Sequence, residues 1–264
     1  MSRFIGLYRH ELGMALRRRG AWVAYGLLLA FYSVLLFAPP PLGERVQGEV
    51  IEASAVWSVA GRFMLALNVF LPVVAGLLSA DRVVRDLRLG VRELQESTPL
   101  ATATYVSAKY AAALTAALLP VLAWATLVAA TMTATGHAPV AFLAAIPVTF
   151  LAISVPAFAF VVAFSLACPM VMPLSVYQIL FTGYWFWANF VPPKLFPTLN
   201  GTLLTPSGVF ALHGFFGGHA SRNGKEPLLH TAPEAVLNLI VLALLGGSIL
   251  IALGRYLARR ARRA

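Results

Sequence analysis

The sequence contains few charged residues and almost no cysteine. Charged residues make up 11% of its 264 residues, hydrophobic residues make up 59%, and the mean hydropathy is +0.80. A soluble domain needs about 25% charged residues to cover its surface, so this composition excludes a single soluble core and indicates that lipid covers much of the protein. The single cysteine, Cys168, excludes an internal disulfide and carries no information about the redox compartment.

Motifs for nucleotide binding, catalysis and metal binding are also missing. No G-x-x-x-x-G-K-[ST] occurs, and the Gly-Lys-Glu at 224–226 lacks the glycine spacing and the hydroxyl residue of a phosphate loop. There is no H-E-x-x-H and no compact pair of carboxylates at membrane depth, which argues against a membrane enzyme. His213, His219 and His230 match no compact ligand spacing. We therefore expect no catalytic residue, metal site or cofactor in this chain.

Basic residues outnumber acidic ones by twenty to ten, and their positions indicate which surface they meet. A formal charge of +10 is compatible with nucleic acid or with an anionic membrane face. Five arginines precede the first apolar run and five follow the last, as is typical of anchors beside anionic lipid. We expect contact with membrane lipid and none with nucleic acid.

Six apolar runs are long enough to cross a membrane, which takes about 20 residues for roughly 30 Å of hydrocarbon. Only helices can cross here, because backbone groups in lipid must be bonded within their own segment. The sequence therefore predicts an all-α, multi-pass membrane protein that forms a single transmembrane domain over 1–264. The predicted spans lie near 21–38, 57–79, 105–132, 140–167, 171–191 and 234–254.

The distribution of Lys and Arg between alternate connections predicts the orientation. Segments 1–20, 80–104 and 255–264 hold fourteen of these residues, whereas 39–56, 133–139 and 192–233 hold four. Positive loops stay on the cytoplasmic side, so both termini are expected in the cytoplasm, in a cell membrane of the bacterial inner-membrane type.

Residues 1–20 have the pattern of an amphipathic helix. Apolar Phe4, Tyr8, Leu12 and Leu16 recur every four residues, while charged residues occupy the other faces. Two interpretations remain open: a plain membrane anchor, or an elbow helix with a role in coupling.

The loop 80–104 is the only densely charged internal segment. Opposite charges stand four residues apart at Asp81 and Arg85 and again at Arg82 and Asp86, as in a helix. A self-paired helix lying on the headgroups is one interpretation. Anionic lipid would repel the four acids of this loop, which favours a protein partner of mixed charge. An apolar stripe that needs cover runs along the same helix at Val83, Leu87, Val91 and Leu94.

The connection 192–233 is too long and too apolar to extend freely into water. Breakers such as Asn200-Gly201 and Ser207-Gly208 surround its apolar pieces. We expect short helices or a re-entrant hairpin, which acts either as a cap on the bundle or as an outer gate.

Polar and aromatic residues within the spans are the remaining candidates. Asn68 in span two and Gln178 in span five either bond a neighbouring helix or contact a substrate. The aromatics at 184–187, followed by Asn189, form an interfacial belt or face a cavity.

The order of these parts resembles the ABC-2 permease family, the membrane subunits of type V ABC exporters. The resemblance covers essentially the whole chain: an amphipathic helix before span one, a charged loop after span two, a tight turn at 168–170 and a broken outer segment before span six. The loop ends in ELQESTPLATATYVSAKY, similar to a stretch E-L-x-x-S/T-x-P-L that leads into an aromatic and a lysine, here Tyr105 and Lys109.

The resemblance implies partners and site residues. The helix at 1–20 and a coupling helix at 81–96 within the loop 80–104 would contact a separate ABC ATP-binding subunit that holds ATP and Mg. Two permeases, identical or sibling, would form the pore. The implied coupling residues are Glu11, Arg18, Val83, Leu87, Val91, Arg92, Glu93 and Leu94. The implied translocation-path residues are Asn68, Gln178, Tyr184, Trp187 and Asn189.

The sequence thus predicts a non-catalytic exporter permease for an amphiphilic, drug-, peptide- or lipid-like substrate. Two alternatives stay open. One is a membrane enzyme acting on lipids or peptides, and the other is a membrane anchor of an ATPase complex that transports nothing itself.

Overall fold

The computed structural model describes residues 2–37, 51–90, 100–217 and 230–262, and within them every regular element is helical, as predicted. The α-helices are α1 Ser2–Leu16, α2 Arg19–Phe37, α3 Val56–Leu67, α4 Leu71–Ser79, α5 Arg82–Arg88, α6 Thr102–Ala134, α7 Ala141–Thr149, α8 Val155–Ala167, α9 Leu174–Phe190, α10 Val209–Phe216 and α11 Ala232–Ala261. A π turn joins α7 to α8, and short 3₁₀ turns precede α3 and follow α8.

Four helices of the described chain are long and apolar enough to cross a membrane, which makes this a membrane-embedded fold. They are α2, α6, α11 and the continuous helix Ala141–Met170 that contains α7 and α8. A fifth is added if the bent pair Ala53–Leu67 and Leu71–Arg88 counts as one span. The predicted span 171–191 corresponds to α9, whose 17 residues lie at the short end of the range for crossing a bilayer.

The predicted span 57–79 is broken in the middle. Helix α3 ends at Leu67, helix α4 begins at Leu71, and the two axes differ by 43°. Pro72 explains the position of the break, because in a continuous helix its ring would clash with the carbonyl of residue 68. In the first turn of a new helix the same proline is tolerated.

Helix α5 and helix α10 lie at opposite ends of the bundle. We call one end the α5 end, where α5, the start of α6 and the junction of α1 and α2 meet. At the other, the α10 end, α10 packs on the start of α3 and on α11. The predicted segment 192–233 forms turns followed by α10, and its residues 218–229 lie outside the described residues.

Close approaches at glycine fix how the helices pack. An added Cβ at Gly76 of α4 would lie 2.5 Å from the ring of Phe181, so this glycine lets α9 contact α4. Gly208 has a φ of +96°, and its missing side chain leaves room for Ile153 where α10 begins.

Candidate functional site

A buried ion-pair network joins three helices at the α5 end. The ammonium group of Lys109 lies 2.8 Å from Oε1 of Glu11 and 2.7 Å from Oδ2 of Asp86. The hydroxyl of Tyr105 donates to the same Asp86 oxygen at 2.7 Å, and its ring centroid is 5.4 Å from the Lys109 ammonium. All four side chains are buried. We call Glu11, Asp86, Tyr105 and Lys109 the lysine network.

Local spacing places each member of the lysine network. Tyr105 and Lys109 are four residues apart on α6 and therefore share a face. Asp86 lies three residues after Val83, whose side chain is buried against α6 and α11 and so turns that face of α5 inward. Glu11 comes from α1, which packs along α6 and also bonds it through Tyr8, whose hydroxyl donates to Thr115 at 3.2 Å. The network thus fastens α1 and α5 to α6.

The energetics of the lysine network favour rigid attachment. A buried charge that loses its partner costs about 3–5 kcal/mol, because the remaining charge is left uncompensated in a low-dielectric interior. Here one ammonium group serves two carboxylates that come from different helices. Separation of α1 or α5 from α6 is therefore opposed by more than apolar contact alone.

A second ion pair lies closer to solvent. Nη1 of Arg18 is 3.0 Å from Oδ1 of Asp81 and donates to the carbonyl of Leu78 at 3.3 Å. Both charged side chains are partly exposed, so the pair contributes at most about 1 kcal/mol. It links the junction of α1 and α2 to the junction of α4 and α5.

The predicted coupling residues that the structure describes differ in how far their side chains are buried. Glu11 and Val83 are buried, Leu87 is half-buried in the same apolar cluster as Val83, and Arg18 is partly exposed. The stripe at Val83 and Leu87 is therefore covered by the chain's own helices. Docking on a partner stays a prediction for all of them. The predicted coupling residues Val91, Arg92, Glu93 and Leu94 lie outside the described residues.

The outward face of α5 differs from the predicted stripe. Arg85 and Arg88 are exposed, and Leu89, which ends the helix, is 67% exposed. We call these three residues the α5 surface. Among the described residues, the outward face of α5 therefore presents two guanidinium groups and one leucine instead of the valine and leucine stripe.

Asn68 holds the break between α3 and α4 in place. It is completely buried, and its Nδ2 donates to the carbonyls of Ile153 and Ser207, each at 3.1 Å. Ile153 belongs to the π turn, and Ser207 precedes α10. The amide therefore ties three irregular segments together, which is the helix-bonding interpretation of the sequence, and its pathway role stays a prediction.

The other predicted path residues lie on α9 in different settings. Gln178 faces an open groove of about 550 Å³ together with Ser175 and Thr182. Tyr184 and Trp187 are half-buried with ring centroids 6.2 Å apart. Asn189 is buried, and its Nδ2 donates to the carbonyl of Trp185 at 2.9 Å.

These path residues are not gathered around one cavity. The groove of Gln178 is lined by neither Asn68 nor Asn189. A further residue of this region, Trp185, is completely buried and donates from Nε1 to the carbonyl of Val69, which anchors α9 to the helix break. Sequence reasoning grouped Trp185 with the aromatic belt and did not separate this anchoring contact from lipid-facing ones.

Two histidine rings and one phenylalanine ring stack at the α10 end. The ring of His230 lies 3.7 Å from that of Phe210 and 5.5 Å from that of His213, measured between centroids. Burial lowers the pKa of His230 below its ordinary value, an effect partly offset by the Glu234 carboxylate at 3.9 Å. Within the ranges that the structure describes, no group of three or more His, Cys, Asp or Glu side chains is placed to hold a metal ion.

Comparison with known proteins leaves this geometry without a family assignment. No family model, no curated protein and no solved structure matches the chain. Its function therefore has to be argued from its own residues.

Proposed function

We propose that the chain is the membrane permease subunit of an ABC-2-type exporter, coupled to a separate ATP-binding subunit. The observation that carries the proposal is the lysine network, in which a buried lysine on α6 bonds acids from both α1 and α5. These are the two helices that the resemblance to ABC-2 permeases implicates in coupling. The exported substrate is amphiphilic, drug-like, peptide-like or lipid-like, in keeping with a path of few charges.

In this proposal the ATP-binding subunit docks on the α5 surface. Arg85 and Arg88 project from the end of the bundle and favour a partner with acidic groups. A displacement of α5 passes to α6 through Asp86 and Lys109, and to α1 through Glu11. Glu11 thus acts by fixing α1 in position rather than by contacting the partner.

A displacement of α5 would also be transmitted along α4 to the helix break inside the membrane. Helices α4 and α5 follow one another from Leu71 to Arg88. The Leu71 end of this pair adjoins the helix break, which the hydrogen bonds of Asn68 hold in place. Irregular backbone at membrane depth is tolerated where protein or a cavity covers it, and discontinuous helices form the substrate sites of many transporters. We propose that motion at the α5 end changes the packing of this break.

Two copies of the chain, or this chain and a sibling, form the path in the proposal. The groove on α9 is open, and it places the polar Ser175 and Gln178 on an outward face beside Thr182, whose hydroxyl donates to the carbonyl of Gln178. Lipid offers no hydrogen-bond partner to the Ser175 hydroxyl or to the Gln178 amide. A second permease that covers this groove encloses a path lined by Gln178, with Tyr184 and Trp187 toward its α10 end.

We also propose how many times the chain crosses the membrane and which subunit binds ATP. Helix α9 is about 26 Å long at 1.5 Å per residue and crosses as a fifth span, which gives six spans with both termini in the cytoplasm of a bacterial-type inner membrane. ATP and Mg bind the partner subunit, and this chain has no catalytic role.

Capture from native membranes tests the proposal. The tagged chain, extracted with a gentle detergent, is expected to bring with it an ABC ATP-binding subunit in stoichiometric amount. Transport in vesicles that contain the complex then separates an exporter from an anchor that transports nothing. Recovery of the folded chain with no ATP-binding subunit would overturn the proposal.

A further inference from the structure

A polar cavity of about 340 Å³ lies at the α5 end, beside the lysine network. Its lining carries five basic groups and three carboxylates, which leaves two positive charges in excess. Two of the carboxylates bond Lys109 and the third bonds Arg18, and among the described residues the other three arginines of the lining form no ion pair with an acid. The charged lining residues are Glu11, Arg17, Arg18, Asp81, Arg82, Arg85, Asp86 and Lys109.

Two polar groups that line this region lack a hydrogen-bond partner among the described residues. One is Nε of Arg82, which is buried, and the other is the hydroxyl of Tyr25, a residue only 4% exposed. A donor buried without an acceptor is costly, and native proteins rarely leave one unpaired. Two such donors in the lining of one crevice indicate an acceptor that the described residues do not provide.

The cavity continues into a narrow apolar crevice between α2, α4 and α6. Arg18 and Arg82 line both spaces, and Tyr25 and Trp22 line the crevice. The crevice holds only about 30 Å³, so it admits a small group and not a whole chain. Next to it, α2 exposes the apolar side chains of Trp22, Val23 and Leu27.

We propose that this cavity binds the phosphate group of an anionic phospholipid, with Arg82 and Tyr25 donating to its oxygens. Guanidinium groups match phosphate oxygens in charge and geometry, and arginine is the residue favoured for such contacts. The acyl chains then lie along the exposed apolar face of α2. A free phosphate shares the headgroup chemistry, but it makes no use of the crevice or of α2.

The site would couple the membrane surface to the lysine network. Arg82 and Asp86 both line the cavity, so a bound phosphate lies beside the acids that hold α5. The lipid supplies the negative charge that the surplus arginines lack, and so stabilises the contact of α1 and α5 with α6. This inference does not depend on the exporter proposal.

Native mass spectrometry of the full chain in detergent tests the proposal. The probes are 1-palmitoyl-2-oleoyl phosphatidylglycerol and the phosphatidylcholine with the same chains. We expect phosphatidylglycerol to bind at least about tenfold more tightly, and Arg82→Gln to reduce that affinity about tenfold or more. Tyr25→Phe should also reduce it while removing an unpaired hydroxyl, so this variant stays informative if Arg82→Gln fails to fold. Lys194→Gln, which removes an exposed basic charge outside the segments expected beside anionic lipid, is the control and should retain wild-type affinity.

A competition arm distinguishes the sources of phosphate. Phosphatidylglycerol is expected to remain bound in about 10 mM inorganic phosphate, since crevice and α2 contacts add to the headgroup contact. Displacement at that concentration would overturn the lipid assignment and leave a site for soluble phosphate. Equal binding of the two lipids, or unchanged phosphatidylglycerol affinity in both Arg82→Gln and Tyr25→Phe, would overturn the site altogether.

Discussion

The Lys109 ammonium group lies 2.8 Å from the Glu11 carboxylate, although the two residues are 98 positions apart in the chain. Both side chains are buried, so the pair joins α1 to α6 away from solvent. The ammonium group also bonds Asp86 of α5. One lysine therefore holds together the three helices on which the proposed coupling depends.

Lys109→Met should be strongly destabilising. The substitution preserves most of the side-chain volume but leaves Glu11 and Asp86 buried without a cation, which costs about 3–5 kcal/mol. The midpoint of thermal unfolding in detergent measures the loss. Lys194→Met changes an exposed lysine in the same way and should leave the midpoint close to that of the wild type. Equal midpoints for the two variants would show that the network contributes no stability.

Asn68→Leu should lower the free energy of unfolding, because it removes the hydrogen bonds that hold the break between α3 and α4. It removes the donor to Ile153 and Ser207, and two buried carbonyls lose a bond at a cost of about 1–3 kcal/mol. Gln178→Leu is the matched control, because its side chain faces the open groove and its loss should leave the unfolding midpoint unchanged. If Asn68→Leu unfolds like the wild type but alters transport, Asn68 belongs to the path and not to the scaffold.

Two glycine substitutions should have opposite effects. Gly76→Ala places a Cβ 2.5 Å from the Phe181 ring, and such overpacking costs about 1–3 kcal/mol as α9 moves away from α4. Gly183→Ala on α9 meets nothing within 4 Å and should be neutral or stabilising by up to about 1 kcal/mol. Unfolding midpoints measure both effects. Similar midpoints for the two variants would contradict the close contact of α4 with α9.

The packing at the α10 end should weaken in acid. Burial lowers the pKa of His230 in the folded state, so folding favours the neutral imidazole. The corresponding stability is present above the unfolded pKa of about 6.5 and is lost as the pH falls through and below it. The unfolding midpoint should fall more between about pH 7.5 and about pH 5.5 in the wild type than in His230→Gln. His10→Gln, at an exposed position, should keep the wild-type pH response, and a His230→Gln response equal to the wild type would contradict the assignment.

Hydropathy predicted the helical membrane fold but not where the helices break. The run 57–79 stays apolar around Arg62 and Asn68, and Pro72 is compatible both with a kink and with ordinary membrane packing. The break depends on the clash between Pro72 and the carbonyl four residues earlier, combined with carbonyls of the π turn and of residue 207 that accept from Asn68. A single sequence does not reveal which distant carbonyls will be in reach.

The candidate site was predicted in its parts and not in its arrangement. Periodicity predicted a helix over 81–96, of which the structure shows Arg82–Arg88 as helix while 91–96 lie outside the described residues, and the family resemblance singled out Tyr105 and Lys109. The pairs expected within that helix gave way to tertiary partners, since Asp81 bonds Arg18 and Asp86 bonds Lys109. Local spacing identifies acids and bases that lie on one helix, but partners on other helices are found only when packing is known.

The most direct test of the coupling role uses the α5 surface, because Leu87 is half-buried in the chain's own core and its substitution would test folding instead. The chain and the ATP-binding subunit captured with it are reconstituted in nanodiscs, and ATP hydrolysis is measured for the wild type, Arg88→Glu and Leu89→Asp. Arg260→Glu, an exposed charge reversal on α11, is the control. We expect both α5 variants to fold normally but to lose association or membrane-coupled ATPase activity, while Arg260→Glu retains both. Unchanged assembly and activity in the α5 variants would contradict the proposed docking of an ATPase on α5.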